Sequence, residues 1–353
     1  MSMSLWENYI RKVVPYVPGE QPRKPNIIKL NTNENPYPPA PGVTRVLQDF
    51  DTSKLCMYPD PTIKPLVVEL ARYYGFGEEQ VFVGVGSDDV LAMAFMTFFN
   101  SEKPILFPDI SYSFYPVWCN LFSIPFKTPA LDEKFKIIKN DYYIENGGIV
   151  IPNPNAPTSI YEEVSFIEDI VKNNPDSIVI IDEAYIDFAG ASSLELVNKY
   201  DNLLVVQTFS KSRSMAGMRI GFCIGNPKLI EAINNVKYSF NSYTMNMVSI
   251  VSGVEAVKDD EYFNSTVGRI IETREKTKGR LSELGFTFPD SKANFIFATH
   301  NRVPAKELYE GLRADDIYVR YFDLPRIYNY LRITIGTDEE MNKLLDSLSR
   351  LLI

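Results

Sequence analysis

The chain has 353 residues, of which 45% are hydrophobic and 23% charged, with a formal net charge of −9 and one histidine. This length exceeds what a single core usually supports, so we expect two domains. The acidic balance argues against a nucleic-acid or anionic-membrane surface, and no apolar run approaches a membrane span. Three cysteines without a CxxC pair give no metal signature, and with no apolar signal core at the N-terminus they favour the cytoplasm.

Residues 15–41 are rich in proline, which predicts an extended arm. From about residue 43, short apolar runs alternate with helical patterns, as in QVFVGVG followed by SDDVLAMAFMTFF, for which we expect a cap at Ser87 or Asp88. This alternation predicts an α/β fold with a mainly parallel sheet covered on both faces. A long helical region follows at about 243–285, and a second α/β unit runs to the C-terminus, so we place the domain change near 237–250.

Several polar side chains follow predicted strands, where a parallel sheet binds its ligands. In VGVGSDDV the backbone at Gly86, Ser87 and Asp88 begins a helix, whose free N–H groups attract anions. Tyr112 follows another strand and could stack on a flat ring, although aromatic residues at helical spacing usually belong to the core. Asn155, between prolines, could donate to a ligand oxygen or simply end its strand.

Charged groups follow the next two strands. In SIVIIDEAY the strand ends at Asp182 and Glu183, with Tyr185 close behind, and a buried carboxylate there would need a cation or donors. In LLVVQTFSK the strand is followed by Ser210 and Lys211. A lysine in a dry site becomes a nucleophile towards carbonyl carbon, whereas the alternative is a solvated surface charge.

Each of these residues has an ordinary structural interpretation, but together they match what pyridoxal 5'-phosphate requires. Its aldehyde needs a lysine, and its ring nitrogen needs a carboxylate that keeps it protonated. Its phenolic oxygen needs donors such as Tyr and Asn. Its phosphate needs backbone N–H groups, hydroxyls and an arginine, here Arg219.

At these residues the chain resembles the fold-type I pyridoxal-phosphate-dependent aminotransferases, over nearly its whole length. DEAYIDF (182–188) and TFSKSRSMAGMRIGF (208–222) are specific to this cofactor fold, while PYVPGEQP (15–22) and LNTNENPYPP (30–39) favour its histidinol-phosphate branch. The resemblance implies a large domain at 43–240 with a mainly parallel seven-stranded sheet and a smaller C-terminal α/β domain at 241–353. Residues 1–42 would be an arm that packs near the small domain and a dimer partner.

The resemblance also implies roles for individual residues. Lys211 would form the Schiff base with the cofactor, Asp182 would pair with its ring nitrogen, and Tyr185 would reach its phenolic oxygen. Tyr112 would stack on the ring, and Tyr58 would come from the other subunit of a homodimer. Two further groups are implied. The phosphate would be held by Ser210, Arg219 and the backbone at Gly86, Ser87 and Asp88, and the anionic substrate by Tyr16, Asn33, Arg320 and Arg332.

Two departures from the family pattern fall in the turn NPNAPTS. Ser159 stands where the family usually has Gly, so a positive φ there would be strained, and Ala156 stands where Asn is frequent. We therefore assign the donor to the ring oxygen to Asn155.

The implied reaction is transamination between L-histidinol phosphate and 2-oxoglutarate in histidine biosynthesis. Both substrates are small and anionic, which a pocket with Arg320 and Arg332 can serve. Two alternatives stay open: an aromatic-amino-acid aminotransferase or phospho-amino-acid decarboxylase of the same fold, and a catalytically inactive cofactor- or effector-binding protein.

Overall fold

A computed structural model describes residues 5–353 of the chain, so the first four residues of the predicted arm lie outside it. Its first half contains these elements: β1 Ile28–Leu30, α1 Pro41–Gln48, α2 Lys64–Tyr74, β2 Val81–Gly84, α3 Ser87–Phe98, β3 Ile105–Leu106, α4 Tyr115–Phe122, β4 Phe126–Lys127, β5 Ile149–Pro152, α5 Val164–Lys172 and β6 Val179–Asp182. The second half contains β7 Leu203–Thr208, β8 Gly221–Gly225, α6 Pro227–Phe240, α7 Met247–Lys258, α8 Asp260–Glu283, β9 Phe286–Thr287, β10 Phe295–His300, α9 Ala305–Ala314, β11 Ile317–Tyr321, β12 Leu331–Thr334 and α10 Asp338–Leu351.

The larger sheet has seven strands in the order β2-β8-β7-β6-β5-β3-β4. All its described pairings are parallel except those made by β8, which runs against both β2 and β7. The prediction of a mainly parallel, seven-stranded α/β sheet is therefore confirmed. The strand β8 (GFCIG) is not among the predicted runs, because its glycines mask the apolar pattern.

Helices cover both faces of this sheet, because the central strands are apolar up to their carboxyl ends and successive residues face opposite sides. Ile149 and Ile151 of β5 pack towards α2, α5 and α7, whereas Val150 packs towards α3, α4 and α6. All six residues of β7 are buried. The carboxyl ends of β5, β6 and β7 therefore lie side by side above a buried, well-packed core.

The smaller sheet has five strands in the order β1-β11-β12-β10-β9. Its apolar face packs against α8, α9 and α10, and α10 begins with a capping box between Thr337 and Glu340. The outer strand β1 comes from the predicted arm and pairs in parallel with β11. The chain therefore enters the second sheet before it builds the first, and the predicted domain limits stay predictions.

Helix α3 begins at Ser87 with Gly86 as its cap, one residue before Ser87 and two before Asp88, the two caps expected from the sequence. Gly86 has a φ of +88°, which side chains with a Cβ rarely adopt. A Cβ at this position would clash with Nη2 of Arg219, so glycine lets this helix end meet the arginine. In the part of the chain that the structure describes, no helix is both long and apolar enough to cross a membrane.

Candidate functional site

A cavity of about 240 Å³ lies at the carboxyl ends of β5, β6 and β7. Strand register brings Pro152 beside Asp182, and Asp182 beside Val206. The cavity is lined by Thr32, Glu34, Ser87, Asp88, Tyr112, Pro152, Pro154, Ala156, Asp182, Ala184, Tyr185, Thr208, Ser210, Lys211, Ala216 and Arg219. Eight residues predicted from the sequence lie at or after the carboxyl ends of β2, β3, β6 and β7 and therefore share one cavity: Ser87, Asp88, Tyr112, Asp182, Tyr185, Ser210, Lys211 and Arg219.

Asp182 is the last residue of β6, and only 5% of its surface is exposed. Its Oδ2 accepts a 2.7 Å hydrogen bond from the Tyr115 hydroxyl, and its Oδ1 accepts a 3.3 Å bond from the Ala184 N–H. Burial raises the pKa of Asp182 to about 6, although these two bonds favour the ionised form. No ion pair of residues 5–353 involves Asp182. A cationic group in the cavity would therefore hold this carboxylate ionised.

Lys211 is held by hydrogen bonds to its side-chain amine and to the backbone around it. Its Nζ donates to the Thr32 carbonyl at 3.2 Å and lies 5.8 Å from the centre of the Tyr185 ring. The Asn35 side chain donates to the carbonyls of Lys211 and Ser212, both at 3.1 Å. The amine thus lines the cavity without a carboxylate partner among the ion pairs of the described residues.

Tyr185 connects the cavity to the second sheet. Its hydroxyl accepts a 2.9 Å bond from the amide of Asn33, and its ring packs edge-on against Phe295 of β10. Asn33 is itself held by Thr334 of β12, which bonds to both its backbone N–H and its side-chain oxygen. Asn33 therefore supports Tyr185, and its predicted role in binding substrate stays a prediction.

The other end of the cavity is an anion cradle formed by the start of α3 and Arg219. The first N–H groups of a helix have no partner within it, and the helix dipole is positive there. Arg219 lies 3.5 Å from Oδ2 of Asp88 and 3.5 Å from Oγ of Ser210. Both separations are long for charge-assisted bonds, so the guanidinium retains capacity for a further anionic partner.

Tyr112 stands over the cavity, and its hydroxyl donates to Oδ1 of Asp88 at 2.8 Å. Burial, with Asp88 adding to it, raises the pKa of Tyr112 and keeps the phenol neutral. Its ring belongs to an aromatic cluster that includes Phe114, Tyr115 and Trp118. This packing fixes the ring as a flat wall of the cavity.

The turn after β5 contains both departures noted in the sequence. Ser159 is fully buried with a φ of +64°, the left-handed conformation for which glycine is preferred. Asn155 donates its amide hydrogens to the Ile110 carbonyl and the Thr158 hydroxyl, and its Oδ1 has no partner within residues 5–353. Ala156 lines the cavity, whereas Asn155 does not, so the donor role of Asn155 stays a prediction.

Two arginines of the second sheet lie beyond Tyr185. Arg332 donates from Nη2 to the Asn31 carbonyl at 2.9 Å, and its buried Nε has no partner among the described residues. Burial lowers the pKa of Arg332. Arg320 and Tyr16 line an adjacent cavity that also reaches Tyr112. These three predicted substrate residues thus flank the main cavity without lining it.

Tyr58 lies away from the cavity and is 79% exposed. Its ring lies 4.7 Å from that of Tyr243, and Leu55, Met57 and Phe240 are also exposed. The single chain therefore leaves Tyr58 free to reach a neighbouring subunit, and its role stays a prediction.

Sequence reasoning missed several residues around the cavity. Tyr115 and Asn35 position Asp182 and Lys211, and Thr32, Glu34 and Thr208 line the cavity itself. The motif LNTNENPYPP contains three of them, although Asn33 is the only residue of that motif with a predicted role. The contact of Tyr115 with Asp182 spans 67 positions in the chain, so no local pattern predicts it.

Comparison with known proteins agrees with this geometry. The family model for aminotransferase class I and II matches residues 25–348. A histidinol-phosphate aminotransferase of Brachyspira hyodysenteriae is 53% identical over 333 residues, covering 94% of each chain. Histidinol-phosphate aminotransferase 1 of Hydrogenovibrio crunogenus is 51% identical over 347 residues, covering 98% of each. The crystal structure of the Sinorhizobium meliloti histidinol-phosphate aminotransferase in complex with pyridoxal-5'-phosphate shares the fold, with a TM-score of 0.83 at 20% identity over 92% of this chain and 90% of that one.

Proposed function

The chain belongs to the class I and II aminotransferases, and from this premise we propose that it transfers an amino group between L-histidinol phosphate and 2-oxoglutarate. The products are imidazole-acetol phosphate and glutamate, in histidine biosynthesis. The substrate assignment rests on relatives of about 50% identity along almost the whole chain. One observation of the site carries the reaction type: a lysine amine and a buried carboxylate line the same cavity at neighbouring strand ends.

The residues of the cavity fit pyridoxal 5'-phosphate. Asp182 is buried without an ion-pair partner among the described residues, and the anion cradle has room in its bonding for a phosphate. Asp182 would hold the ring nitrogen, Tyr112 would cover the ring, and Tyr185 would donate to the phenolic oxygen. The phosphate would be held by Ser210, Arg219 and the start of α3. When bound, this cofactor supplies an aldehyde for the amino group and a ring that withdraws electrons.

Lys211 is the group that moves protons in this proposal. In its free form, Nζ would take the proton from the carbon of the donor that bears the amino group, and in the second half of the reaction it would deliver a proton to the carbonyl carbon of the acceptor. The Thr32 carbonyl orients the amine, and Asn35 holds the backbone from which the side chain extends. Lys211 therefore serves both halves of the reaction from one fixed position.

Each of the two amino donors carries an anionic group, which is a carboxylate in glutamate and a phosphate in histidinol phosphate. Guanidinium groups suit both anions, because their planar N–H donors match either set of oxygens. Arg332 has an unused buried Nε, and Arg320 and Tyr16 line the adjacent cavity. We assign the binding of the carboxylate of one donor and of the phosphate of the other to these three residues.

The proposal includes a homodimer in the cytoplasm. It is supported by the exposed apolar surface around Tyr58, and by three free cysteines, which suit a reducing compartment. Tyr58 would then reach the cofactor of the partner subunit. Sedimentation equilibrium checks the dimer, which a monomer at micromolar concentration would contradict.

The decisive experiment compares Lys211→Ala with Arg219→Ala. Lys211→Ala removes the amine and should abolish turnover of histidinol phosphate with 2-oxoglutarate, while the protein still binds pyridoxal phosphate noncovalently. Arg219→Ala should mainly weaken cofactor binding, by roughly 10-fold to 100-fold, because it removes a charge-assisted contact. Turnover rates and cofactor titration followed by absorbance measure both effects.

A substrate panel then separates the relatives of the same fold. The wild-type protein should use histidinol phosphate better than phenylalanine or threonine phosphate. No turnover of histidinol phosphate would refute the substrate assignment, and full activity of Lys211→Ala would refute the mechanism. A protein that stays colourless with added pyridoxal phosphate would refute both.

A further inference from the structure

Residues 31–35 run directly across the site, and four of the five bond to its functional groups. Asn31 and Thr32 do so through their carbonyls, and Asn33 and Asn35 do so through their amides. Their partners are Arg332, Lys211 and Tyr185. This segment therefore supports the catalytic groups residue by residue, and Glu34 is the exception.

Glu34 lines the main cavity and bonds to residues outside that set. Its Oε2 accepts from Nζ of Lys29 and from the Thr32 hydroxyl, the latter at 2.8 Å. Its Oε1 accepts no hydrogen bond from the described residues. The side chain is 44% exposed. One carboxylate oxygen is thus fixed by the protein, while the other is left for a ligand.

The charge of Glu34 is unexpected in a cavity that binds anions. Burial acts against ionisation, but hydrogen bonds from Lys29 and Thr32 lower the pKa of Glu34, so it is ionised at neutral pH. A carboxylate in the cavity disfavours the binding of both anionic substrates. A substrate offsets this effect only if it donates a hydrogen bond to the carboxylate. Histidinol phosphate has such a donor in its imidazole N–H, whereas glutamate has a second carboxylate in its side chain.

We propose that Oε1 of Glu34 accepts the ring N–H of the imidazole substrate, which makes Glu34 a specificity-determining residue. This inference rests on the proposed function, because it assigns a contact within that same site. Lys29 and Thr32 hold the carboxylate in place, so its free oxygen keeps one direction. Glu34 then selects for a donor-bearing ring and against an acidic side chain.

The test compares substrates with and without the ring. For Glu34→Ala, kcat/KM for histidinol phosphate should fall about 10-fold to 100-fold, the effect of losing a hydrogen bond to a charged group. For 2-amino-1-propanol phosphate, which lacks the ring, and for glutamate, kcat/KM should stay within about threefold of the wild type. Glu34→Gln keeps a neutral acceptor and should lose less than Glu34→Ala.

Glu310→Ala is the matched control, since Glu310 is an exposed glutamate on α9, and it should change none of these ratios. Absorbance titration should find cofactor affinity unaltered in Glu34→Ala, which excludes a collapsed site. Equal losses for all three substrates, or no loss for histidinol phosphate, would overturn the inference. A wild-type protein inactive on histidinol phosphate would instead overturn the proposed function.

Discussion

Asp182 and Glu183 are consecutive carboxylates at the end of β6, and both are buried. Glu183 has donors on both oxygens: the Ser193 N–H at 2.6 Å on Oε1, and the Ser192 hydroxyl at 2.5 Å and the Gln207 amide at 2.9 Å on Oε2. Asp182 has one strong bond and one long one. Only Asp182 of the two lines the cavity.

The same residue chemistry thus serves two purposes at neighbouring positions. The strand turns successive side chains to opposite faces, so one carboxylate reaches the ligand and the other reaches the protein interior. Burial is the largest influence on both, raising the pKa of Asp182 to about 6 and that of Glu183 to about 7. Donors complete the coordination of Glu183, whereas Asp182 keeps bonding capacity for a cationic partner.

Between these two carboxylates, the larger expected effect comes from removing the one that faces the cavity. Asp182→Ala should lower kcat for histidinol phosphate by roughly a thousandfold or more, because the charge opposite the cofactor ring is lost. The thermal midpoint of the protein without cofactor should not fall, because a buried, incompletely paired charge is removed. A midpoint lowered by many degrees would mean that Asp182, like Glu183, supports the folded structure.

Glu183→Gln should change the pH dependence of stability instead. The folded pKa of Glu183 is about 7 and its ordinary value is 4.5, so its contribution to stability is greatest below pH 4.5. That contribution is lost as pH rises towards 7, because the unfolded chain ionises first. From pH 5 to pH 8, the free energy of unfolding of the wild type should therefore fall by about 2–3 kcal/mol relative to that of Glu183→Gln.

Urea unfolding of both proteins at pH 5 and pH 8 measures this difference, with Glu310→Ala as the control. Turnover of histidinol phosphate by Glu183→Gln should change little, since Glu183 does not line the cavity. Parallel stability curves for wild type and Glu183→Gln would mean that Glu183 titrates alike in both states.

The smallest of these effects is expected for Tyr115→Phe. The hydroxyl stabilises the ionised form of Asp182, so its loss should raise the pKa of Asp182 further. We expect kcat to fall about tenfold, with the acidic limb of its pH profile moved upwards. A fall in kcat that is uniform at all pH values would instead indicate disturbed packing of the aromatic cluster.

Much of the site could be predicted because strand ends are visible in the sequence. Asp182 ends an apolar run, Tyr185 and Lys211 follow such runs within a few residues, and parallel pairing brings these strand ends together. The family resemblance supplied the chemistry that connects them. Their roles stay predictions, but their shared cavity follows from local pattern and a simple rule of sheet topology.

Other features could not be read from local pattern, because they depend on contacts between distant segments. The pairing of β1 with β11 and the bond from Asn35 to Lys211 each join positions well over a hundred residues apart. Arg219 approaches the start of α3 at Gly86, where a Cβ would clash, and only the assembled fold reveals this contact. The direction of β8 likewise depends on the two strands beside it.

The early strand β1 has a consequence for exchanging parts between relatives. Its residues complete the second sheet, and three of the five residues that follow, Thr32, Asn33 and Asn35, bond to Lys211 and Tyr185 of the first. A hybrid enzyme joined only at the start of the C-terminal domain would therefore take β1 from one relative and the other strands of the smaller sheet from another. Residues 28–35 and 286–353 form one inheritable block, although they occupy opposite ends of the chain.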